Sequence, residues 1–204
     1  MIVKSFELNK IKLNNHNFYL LYGDNEGLKE ETIKKSFEKN YIDKIHRYEE
    51  REILANTSNF FDSVFTKSFF DNNKLIIINR ATDKIKVLIE ELVQKDPLDI
   101  QFILNSKNLE KKSTLRKFFE KEEKIICVPF YEDNNQTLNS IISKFFANKK
   151  IPISQQLINI LIGRSRGDRK NLNNELEKIE SFSINKKIIS LEEIIKLTNL
   201  ADNY

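Results

Sequence analysis

The residues best suited to phosphate chemistry lie in a short loop, residues 23–30 (GDNEGLKE), between an apolar run and a helix-period segment. A nucleotide-binding loop of the form G-x-x-x-x-G-K-[ST] holds phosphates with bare backbone N–H groups and a lysine, and Mg²⁺ with a hydroxyl. In this loop Gly23 and Gly27 are one residue too close together, and Lys29 does not directly follow the second glycine. Glu30 takes the place of the hydroxyl. The spacing therefore predicts a degenerate nucleotide loop that keeps the turn without the phosphate chemistry.

Charge and a second apolar run indicate the same loss of nucleotide chemistry. Asp24 and Glu26 add negative charge that would repel a triphosphate. Residues 75–78 would form the strand that ends in metal-holding carboxylates in such a fold, but this run is followed by Asn79 and Arg80. We therefore expect no catalytic residue, no metal and no cofactor.

Few other side chains have the types and spacing of a catalytic or metal site. Asn105 and Ser106 follow an apolar run at the position where open α/β sheets place ligand-binding polar groups. The chain has 24 asparagines, however, and an ordinary loop asparagine is the favoured interpretation. The single cysteine, Cys127, excludes an internal disulfide, and His16 and His46 are the only histidines, so no credible Cys–His pair exists. We expect Cys127 to be a core residue.

A basic cluster is the only feature that suggests contact with DNA or phosphate. Its members are Arg164, Arg166, Arg169 and Lys170. A solvated loop is the favoured alternative, because the net charge of +4 comes from 34 basic and 30 acidic residues, which describes a mixed surface. Lysine, isoleucine, asparagine and phenylalanine are all abundant and share A/T-rich codons, so the lysine excess reflects genome composition more than DNA binding.

Phe69 and Phe70 form the aromatic pair with the most suitable position for binding another protein, just before the polar turn 71–73 (DNN). Neighbouring residues on a helix point about 100° apart, so two adjacent large rings cannot both face one narrow core stripe. An exposed pair at a helix end makes a wedge for a partner protein. From spacing alone, packing of both rings under the turn is favoured, as expected for the pairs at 60–61, 118–119 and 145–146.

Strand-like and helix-like segments alternate over the first part of the chain and position these residues. Strands are predicted at 18–22, 44–49, 74–80, 100–104 and 124–130, and helices at 25–39, 50–70, 83–95 and 113–123. Alternation at this spacing predicts an α/β fold in which a parallel sheet is flanked by helices on both faces.

The pattern changes after the polar, linker-like stretch 132–136 (EDNNQ). Helix-period segments follow at 138–147, 154–163 and 168–181, and Ser190 with Glu193 forms a capping box for a last helix. The sequence thus predicts two domains, 1–135 and 136–204. No apolar run is long enough to span a bilayer and the N-terminus has no secretory signal, so we expect a cytoplasmic chain without a membrane partner.

Four stretches together resemble the delta subunits of bacterial DNA polymerase III clamp loaders. In the family's order they are FYLLYGDNEGLKEE at 18–31, SFFDNNKLIIINRA at 68–81, ILNSKNLEKKSTLRKFFEKEEKIICVPFYED at 103–133 and GDRKNLNNELEKIESF at 167–182. The likeness extends over nearly the whole chain. It implies a RecA-like AAA+ fold, in which an α/β domain with a degenerate P-loop is followed by a small three-helix lid domain.

The resemblance also implies a function and partners. Family members lack a working nucleotide site, bind the ring-shaped sliding clamp (the beta subunit), and hold one interface of the ring open so that it can be loaded onto DNA during replication. Their clamp-binding hydrophobic pair falls on Phe69 and Phe70, and the first of these is often leucine in the family. The implied partners are the sliding clamp, the other clamp-loader subunits and primer–template DNA within the assembled loader. The implied role in the DNA polymerase III holoenzyme is non-catalytic.

Two points stay open at the level of sequence. Family members continue into a C-terminal helical collar that assembles the loader pentamer, whereas this sequence stops at Tyr204, so we expect these residues alone not to form a stable pentamer. Either the sequence is part of a longer chain or its lineage lacks the collar. The rival functions are a divergent P-loop NTPase, in which Lys29 reaches phosphate, and a plain DNA-binding module that uses the basic cluster.

Overall fold

The computed structural model describes residues 1–41, 44–65, 73–97, 99–184 and 190–199. The chain divides into two compact units. The first contains Met1–Asp24 and Lys29–Tyr131, and the second contains Asn25–Leu28 together with the described residues from Glu132 onward. The inclusion of Asn25–Leu28 in the second unit has no counterpart in the sequence patterns.

The first unit is built on a five-stranded sheet in the order β2-β3-β4-β1-β5, in which every paired strand is parallel. The strands are β1 (Phe18–Tyr22), β2 (Ile45–Glu49), β3 (Lys74–Asn79), β4 (Ile100–Ser106) and β5 (Ile126–Pro129). Consecutive side chains of β1 and β3 are buried, as expected for strands covered on both faces. The predicted α/β class and all five predicted strands are confirmed, with strand ends shifted by at most two residues.

The helices along this part of the chain follow the predicted segments with one difference. They are α1 (Glu26–Thr32), α2 (Glu50–Ala55), α3 (Thr57–Phe65), α4 (Lys86–Lys95) and α5 (Thr114–Lys121). A π-helical turn at Ile33–Phe37 and a 3-10 turn at Glu38–Asn40 continue α1. The segment 50–70 was predicted to be mostly helical, and its described part is helical except at Asn56. Asn56 leaves helical geometry, and its side-chain oxygen accepts from the Asn59 N–H at 3.1 Å, which caps α3.

The N-terminal residues extend the sheet beside β5, which the sequence analysis did not foresee. Val3 N–H donates to the Cys127 carbonyl at 2.9 Å, and Cys127 N–H donates to the Met1 carbonyl at 2.9 Å. Cys127 is fully buried. Burial raises the pKa of its thiol to about 12, so the thiol stays protonated at neutral pH. The prediction that Cys127 is a core residue is confirmed.

The second unit has its own apolar core, formed by helices α6 (Asn135–Lys149), α7 (Gln155–Ser165), α8 (Arg169–Ser183) and α9 (Leu191–Asn199). Four helices are thus described where the resemblance implied three. The additional one begins at the predicted capping box, in which Ser190 N–H donates to the Glu193 carboxylate and Glu193 N–H donates to the Ser190 hydroxyl. Among the described residues, none of the helices is long and apolar enough to cross a membrane.

Candidate functional site

The degenerate nucleotide loop begins with a turn that only glycine can make. Gly23 follows β1 with a φ of +128°, and a Cβ at this position would lie 2.1 Å from the carbonyl oxygen of Phe130. Its own N–H donates to the carbonyl of Lys107 at 3.3 Å. Gly23 is therefore held tightly between the residues that follow β4 and β5, which fixes where the loop leaves the sheet.

Lys29, the lysine of the degenerate loop, is enclosed by the first unit. Its side chain is fully buried, and its ammonium donates to the backbone carbonyl of Ser106, at the end of β4, with an Nζ–O distance of 2.5 Å. The Ser106 hydroxyl in turn donates to the Ala81 carbonyl at 2.6 Å. A buried ammonium needs such hydrogen-bond acceptors to offset its lost hydration. Lys29 thus secures the end of a strand, whereas the lysine of a working loop would hold phosphate.

The neighbouring strand ends present amides where a nucleotide enzyme needs carboxylates. Asn105 Nδ2 donates to Asn79 Oδ1 at 3.3 Å, which joins the ends of β4 and β3. Asn105 Oδ1 is buried and accepts no hydrogen bond from any described residue. Arg80, the next residue after β3, forms an ion pair with Glu49 at 3.4 Å and is mostly exposed. Asn105 and Ser106 are the last two residues of β4, so the favoured interpretation of an ordinary loop asparagine is wrong. Their side chains hold strand ends together.

The middle of the loop makes a separate set of contacts within the second unit. Asn25 Oδ1 accepts from the Leu28 N–H at 3.0 Å, and Asn25 Nδ2 donates to Asp133 Oδ2 at 2.9 Å. Arg169 binds the same carboxylate through two hydrogen bonds, with Nε donating to Oδ2 and Nη2 to Oδ1, both at 2.6 Å. The Arg169 and Asp133 side chains are only 9% and 7% exposed. This cluster, here named the Asp133 cluster, consists of Asn25, Asp133 and Arg169.

Gly27, the second glycine of the loop, is packed against the start of α8. A Cβ on Gly27 would lie 2.6 Å from the Lys170 backbone nitrogen and 3.0 Å from the Arg169 carbonyl carbon. Real Cβ atoms do not approach backbone this closely, so the position requires glycine. In a working nucleotide loop the glycine allows the backbone to approach phosphate. Here Gly27 allows the loop to approach the backbone of Arg169 and Lys170 at the start of α8.

The four residues of the basic cluster are not presented together. Arg169 is committed to the buried ion pair with Asp133. Arg164 is half-buried, and its Nη1 donates to the Ile195 carbonyl at 3.2 Å. Arg166 and Lys170 are exposed. Contact of Arg164, Arg166 and Lys170 with DNA or phosphate stays a prediction.

Phe69 and Phe70, the predicted clamp-binding pair, lie outside the described residues. The other adjacent phenylalanine pairs show how the chain accommodates such neighbours: in each pair one ring is buried and the other is half-buried, namely Phe60 and Phe61, Phe119 and Phe118, and Phe146 and Phe145. Both rings of each of these three pairs pack against an apolar core, as expected, but only one ring of each pair is fully buried. The cause is the 100° turn between neighbours on a helix.

Two residues of the Asp133 cluster were missed by sequence reasoning. Asp133 lies in the stretch 132–136, whose composition indicated a linker, and Asn25 was one of many asparagines. Asp133 and Arg169 are 36 residues apart, and no spacing rule connects them. The stretch 132–136 is polar, but polar composition does not distinguish a solvated aspartate from a buried aspartate that is paired with an arginine.

The parallel sheet, its strand order and the separate helical unit define a RecA-like AAA+ fold, and solved structures with this fold superpose on the chain. The Thermotoga maritima RuvB Holliday junction branch migration motor matches with a TM-score of 0.61 and 14% identity over 96% of this chain and 66% of that chain. Domain III of the Thermotoga maritima replication initiation protein DnaA matches with a TM-score of 0.50 and 14% identity, over 97% of this chain and 88% of that one.

The particular likeness is to clamp-loader delta subunits. The Bacillus subtilis DNA clamp loader delta protein matches with a TM-score of 0.59 and 17% identity, over 95% of this chain and 62% of that chain. A curated relative from Rickettsia prowazekii, described as a probable DNA polymerase III subunit delta, is 22% identical over 180 residues, which covers 87% of this chain and 54% of the relative. The chain thus spans about half the length of that relative. No protein-family model matches the chain. The resemblance found in the four sequence stretches is confirmed.

The nucleotide and Mg²⁺ that an AAA+ fold implies do not fit the residues present. Lys29 is buried on a carbonyl, and the ends of β3 and β4 carry the amides Asn79 and Asn105. The described residues contain no group of three or more histidine, cysteine, aspartate or glutamate side chains that could hold a metal ion. The degenerate loop at Gly23, Gly27 and Lys29 stays a prediction, which a nucleotide-binding measurement would test.

Proposed function

We propose that the chain is a non-catalytic subunit of a bacterial clamp loader. In this proposal it binds the sliding clamp through Phe69 and Phe70 and helps to open the ring for loading onto DNA during replication in the cytoplasm. The observation that carries the proposal is the burial of Lys29 against the Ser106 carbonyl, because it leaves the loop of this AAA+ fold without an available phosphate-binding lysine. Similarity to delta subunits in sequence and in fold supports the assignment to this one class of AAA+ protein.

The behaviour of the other phenylalanine pairs supports a binding role for Phe69 and Phe70. Each described pair leaves one ring only half-buried, so a fourth pair is expected to offer at least one ring to a partner. The helix that precedes the pair, α3, already carries an aromatic surface near its end. Phe65 is 39% exposed and stacks on Phe61, and the Lys95 ammonium lies 5.3 Å from the Phe65 ring centre. Buried aromatic anchors contribute a large share of the binding energy at protein interfaces.

Ring opening by such a subunit is work done by differential binding. The subunit favours the open ring only by as much as it binds the open state more tightly than the closed one. Because its own loop does not fit a nucleotide, the energy of ATP enters through partner subunits of the loader. Those partners, the sliding clamp and primer–template DNA within the assembled loader are the proposed binding partners.

Surface binding of the chain to the sliding clamp of the same organism tests the proposal. The wild-type chain is expected to bind, and the double substitution Phe69→Ala, Phe70→Ala is expected to weaken binding by roughly 100-fold or more, the size typical of a hot spot. Phe6→Ala is the matched control, because Phe6 is 67% exposed and belongs to a different segment. Its binding should equal that of the wild type.

Two results would contradict the proposal. One is a folded wild-type chain, verified by circular dichroism, that does not bind the clamp. The other is Mg²⁺-dependent ATP binding by the wild-type chain, which would favour the divergent NTPase. Equal loss of binding in the Phe6→Ala control would remove the specific role of Phe69 and Phe70.

A further inference from the structure

We infer that the Asp133 cluster is a buried oxyanion-binding site whose ligand is supplied by the chain itself. The Asp133 carboxylate is the bound anion, and Arg169 and Asn25 are the groups that bind it. When the carboxylate is removed, the site takes a free oxyanion such as inorganic phosphate. All of these residues belong to the second unit, and the inference is independent of clamp binding.

The first argument is the geometry of the donors. Arg169 offers two parallel N–H groups at 2.6 Å to the two carboxylate oxygens, and Asn25 adds a third donor to Oδ2 at 2.9 Å. A guanidinium fork binds carboxylate and phosphate in the same bidentate manner. The donors of Arg169 and Asn25 can therefore bind a free oxyanion as well as a side-chain carboxylate.

The second argument is burial. Asp133 is 7% and Arg169 9% exposed at the side chain, so neither charge retains much hydration. Removing one partner of a buried ion pair leaves the other charge uncompensated, which is strongly unfavourable. An anion that enters the space left by Asp133 would relieve that penalty, and so it has a thermodynamic reason to bind.

The third argument is that the cluster holds the middle of the degenerate loop. Asn25 binds Asp133 through Nδ2 and caps the following turn through Oδ1, and Gly27 packs on the Lys170 backbone nitrogen. In a working loop the corresponding residues surround the phosphates of a nucleotide. In this chain Asn25 binds an internal carboxylate, and Gly27 packs on the backbone beside the arginine that binds the same carboxylate. The loop is thus held around a side-chain anion.

Thermal unfolding with and without added phosphate tests the inference on the whole chain. Asp133→Ala in phosphate-free buffer is expected to lower the melting temperature by roughly 6 °C or more. Inorganic phosphate at tenfold its dissociation constant should return roughly 3–6 °C of that loss. The wild type should gain nothing comparable, because its site is already filled by Asp133.

Three further variants make the test specific. The double variant Asp133→Ala, Arg169→Ala lacks the guanidinium and should show no phosphate-dependent gain. Asp133→Asn keeps the size of the side chain, so it should lose stability and leave no room for phosphate. Asp168→Ala is the matched control: it removes a nearby exposed carboxylate that caps α8 by accepting from the Asn171 N–H at 2.8 Å, without uncovering a buried cation.

Several outcomes would overturn the inference. Equal stabilisation of the wild type by phosphate would mean that the effect does not come from the vacated site. A gain in the double variant, or in Asp168→Ala, would show the same. An Asp133→Ala variant that keeps the wild-type melting temperature, or one that stays unfolded even in excess phosphate, would show that a free anion does not substitute for this carboxylate.

Discussion

The structure buries two cations: Lys29 of the degenerate loop and Arg169 at the start of α8. They are neutralised or hydrogen-bonded by different kinds of partner. Lys29 in the first unit donates to the neutral carbonyl of Ser106, whereas Arg169 in the second unit is paired with the charged carboxylate of Asp133. The first contact stabilises a strand end, and the second stabilises the middle of the loop through Asn25. The difference teaches that phosphate-binding groups of such a loop can be occupied in two ways. A lysine such as Lys29 can donate to a backbone carbonyl, or an arginine such as Arg169 can bind a side-chain carboxylate in place of a phosphate.

The largest expected effect comes from breaking the neutral contact. Lys29→Ala should destabilise the chain by about 3 kcal/mol, because it leaves a cavity in a fully buried position and frees the Ser106 carbonyl. Lys29→Met fills most of the volume and should cost clearly less, since the packing of the aliphatic stem is kept while the polar contacts of the ammonium are lost. Denaturant unfolding of the two variants measures both values. Equal losses would mean that packing around the aliphatic stem contributes nothing.

A second substitution tests the close packing next to the charged contact. Gly27→Ala should destabilise by about 2 kcal/mol, because its Cβ would meet the Lys170 backbone nitrogen at 2.6 Å. Gly163→Ala is the matched control, since a Cβ there meets nothing within 4 Å and the position lies inside α7. It should stabilise by about 0.5–1 kcal/mol through helix propensity. A stabilising Gly27→Ala, read from the same unfolding curves, would contradict the described contact.

A second carboxylate, Asp83, extends the comparison to an anion that is held by hydroxyl and backbone N–H donors. Its oxygen accepts from the Ser113 hydroxyl at 2.5 Å and from the Leu115 N–H at 3.0 Å, which fixes the start of α5. Burial by itself would raise the pKa of Asp83, but hydrogen bonds from Ser113, Leu115 and Thr114 outweigh it and lower the pKa below its ordinary value of 3.8.

The pH dependence of an Asp83→Asn variant follows from that direction. A carboxyl with a lowered folded-state pKa contributes its stability above the unfolded pKa and loses it as the pH falls through the folded pKa. Asp83→Asn should therefore cost about 1 kcal/mol near neutral pH, and the difference from the wild type should shrink below about pH 4. Unfolding free energies measured from pH 7 down to acid give the curve. A difference that grows toward low pH would contradict the assignment.

Most of the fold could be predicted because its signals are local. The apolar runs that became β1 and β3 are long and β-branched or aromatic, and the alternation with helices specifies a parallel sheet. The capping box of Ser190 and Glu193 could also be predicted, because its two residues are three positions apart. The split at Asn56 was missed because an asparagine inside a helical pattern does not reveal whether its side chain faces solvent or caps the next turn.

The candidate site could be predicted only in part, because its decisive contacts are distant in sequence. The prediction of a degenerate loop needed only the glycine spacing, which is local in sequence. The partners that replace the nucleotide were not predictable: Lys29 and Ser106 are 77 residues apart, and Asp133 and Arg169 are 36 apart. Tertiary packing determines which residues form such pairs. Sequence composition is the same whether an aspartate is buried or solvated, so it does not reveal them.

The close contact at Gly27 bears on the evolutionary history of the loop. Restoring the nucleotide motif requires one residue inserted between the two glycines, a lysine directly after the second glycine and a hydroxyl after that lysine. The hydroxyl would take the place of Lys29 and expose the Ser106 carbonyl, and the insertion would disturb the packing of Gly27 on the start of α8. Each intermediate loses stability before any of them regains nucleotide chemistry. The contacts that Lys29 and Gly27 make in this fold therefore oppose a stepwise return to the nucleotide-binding motif.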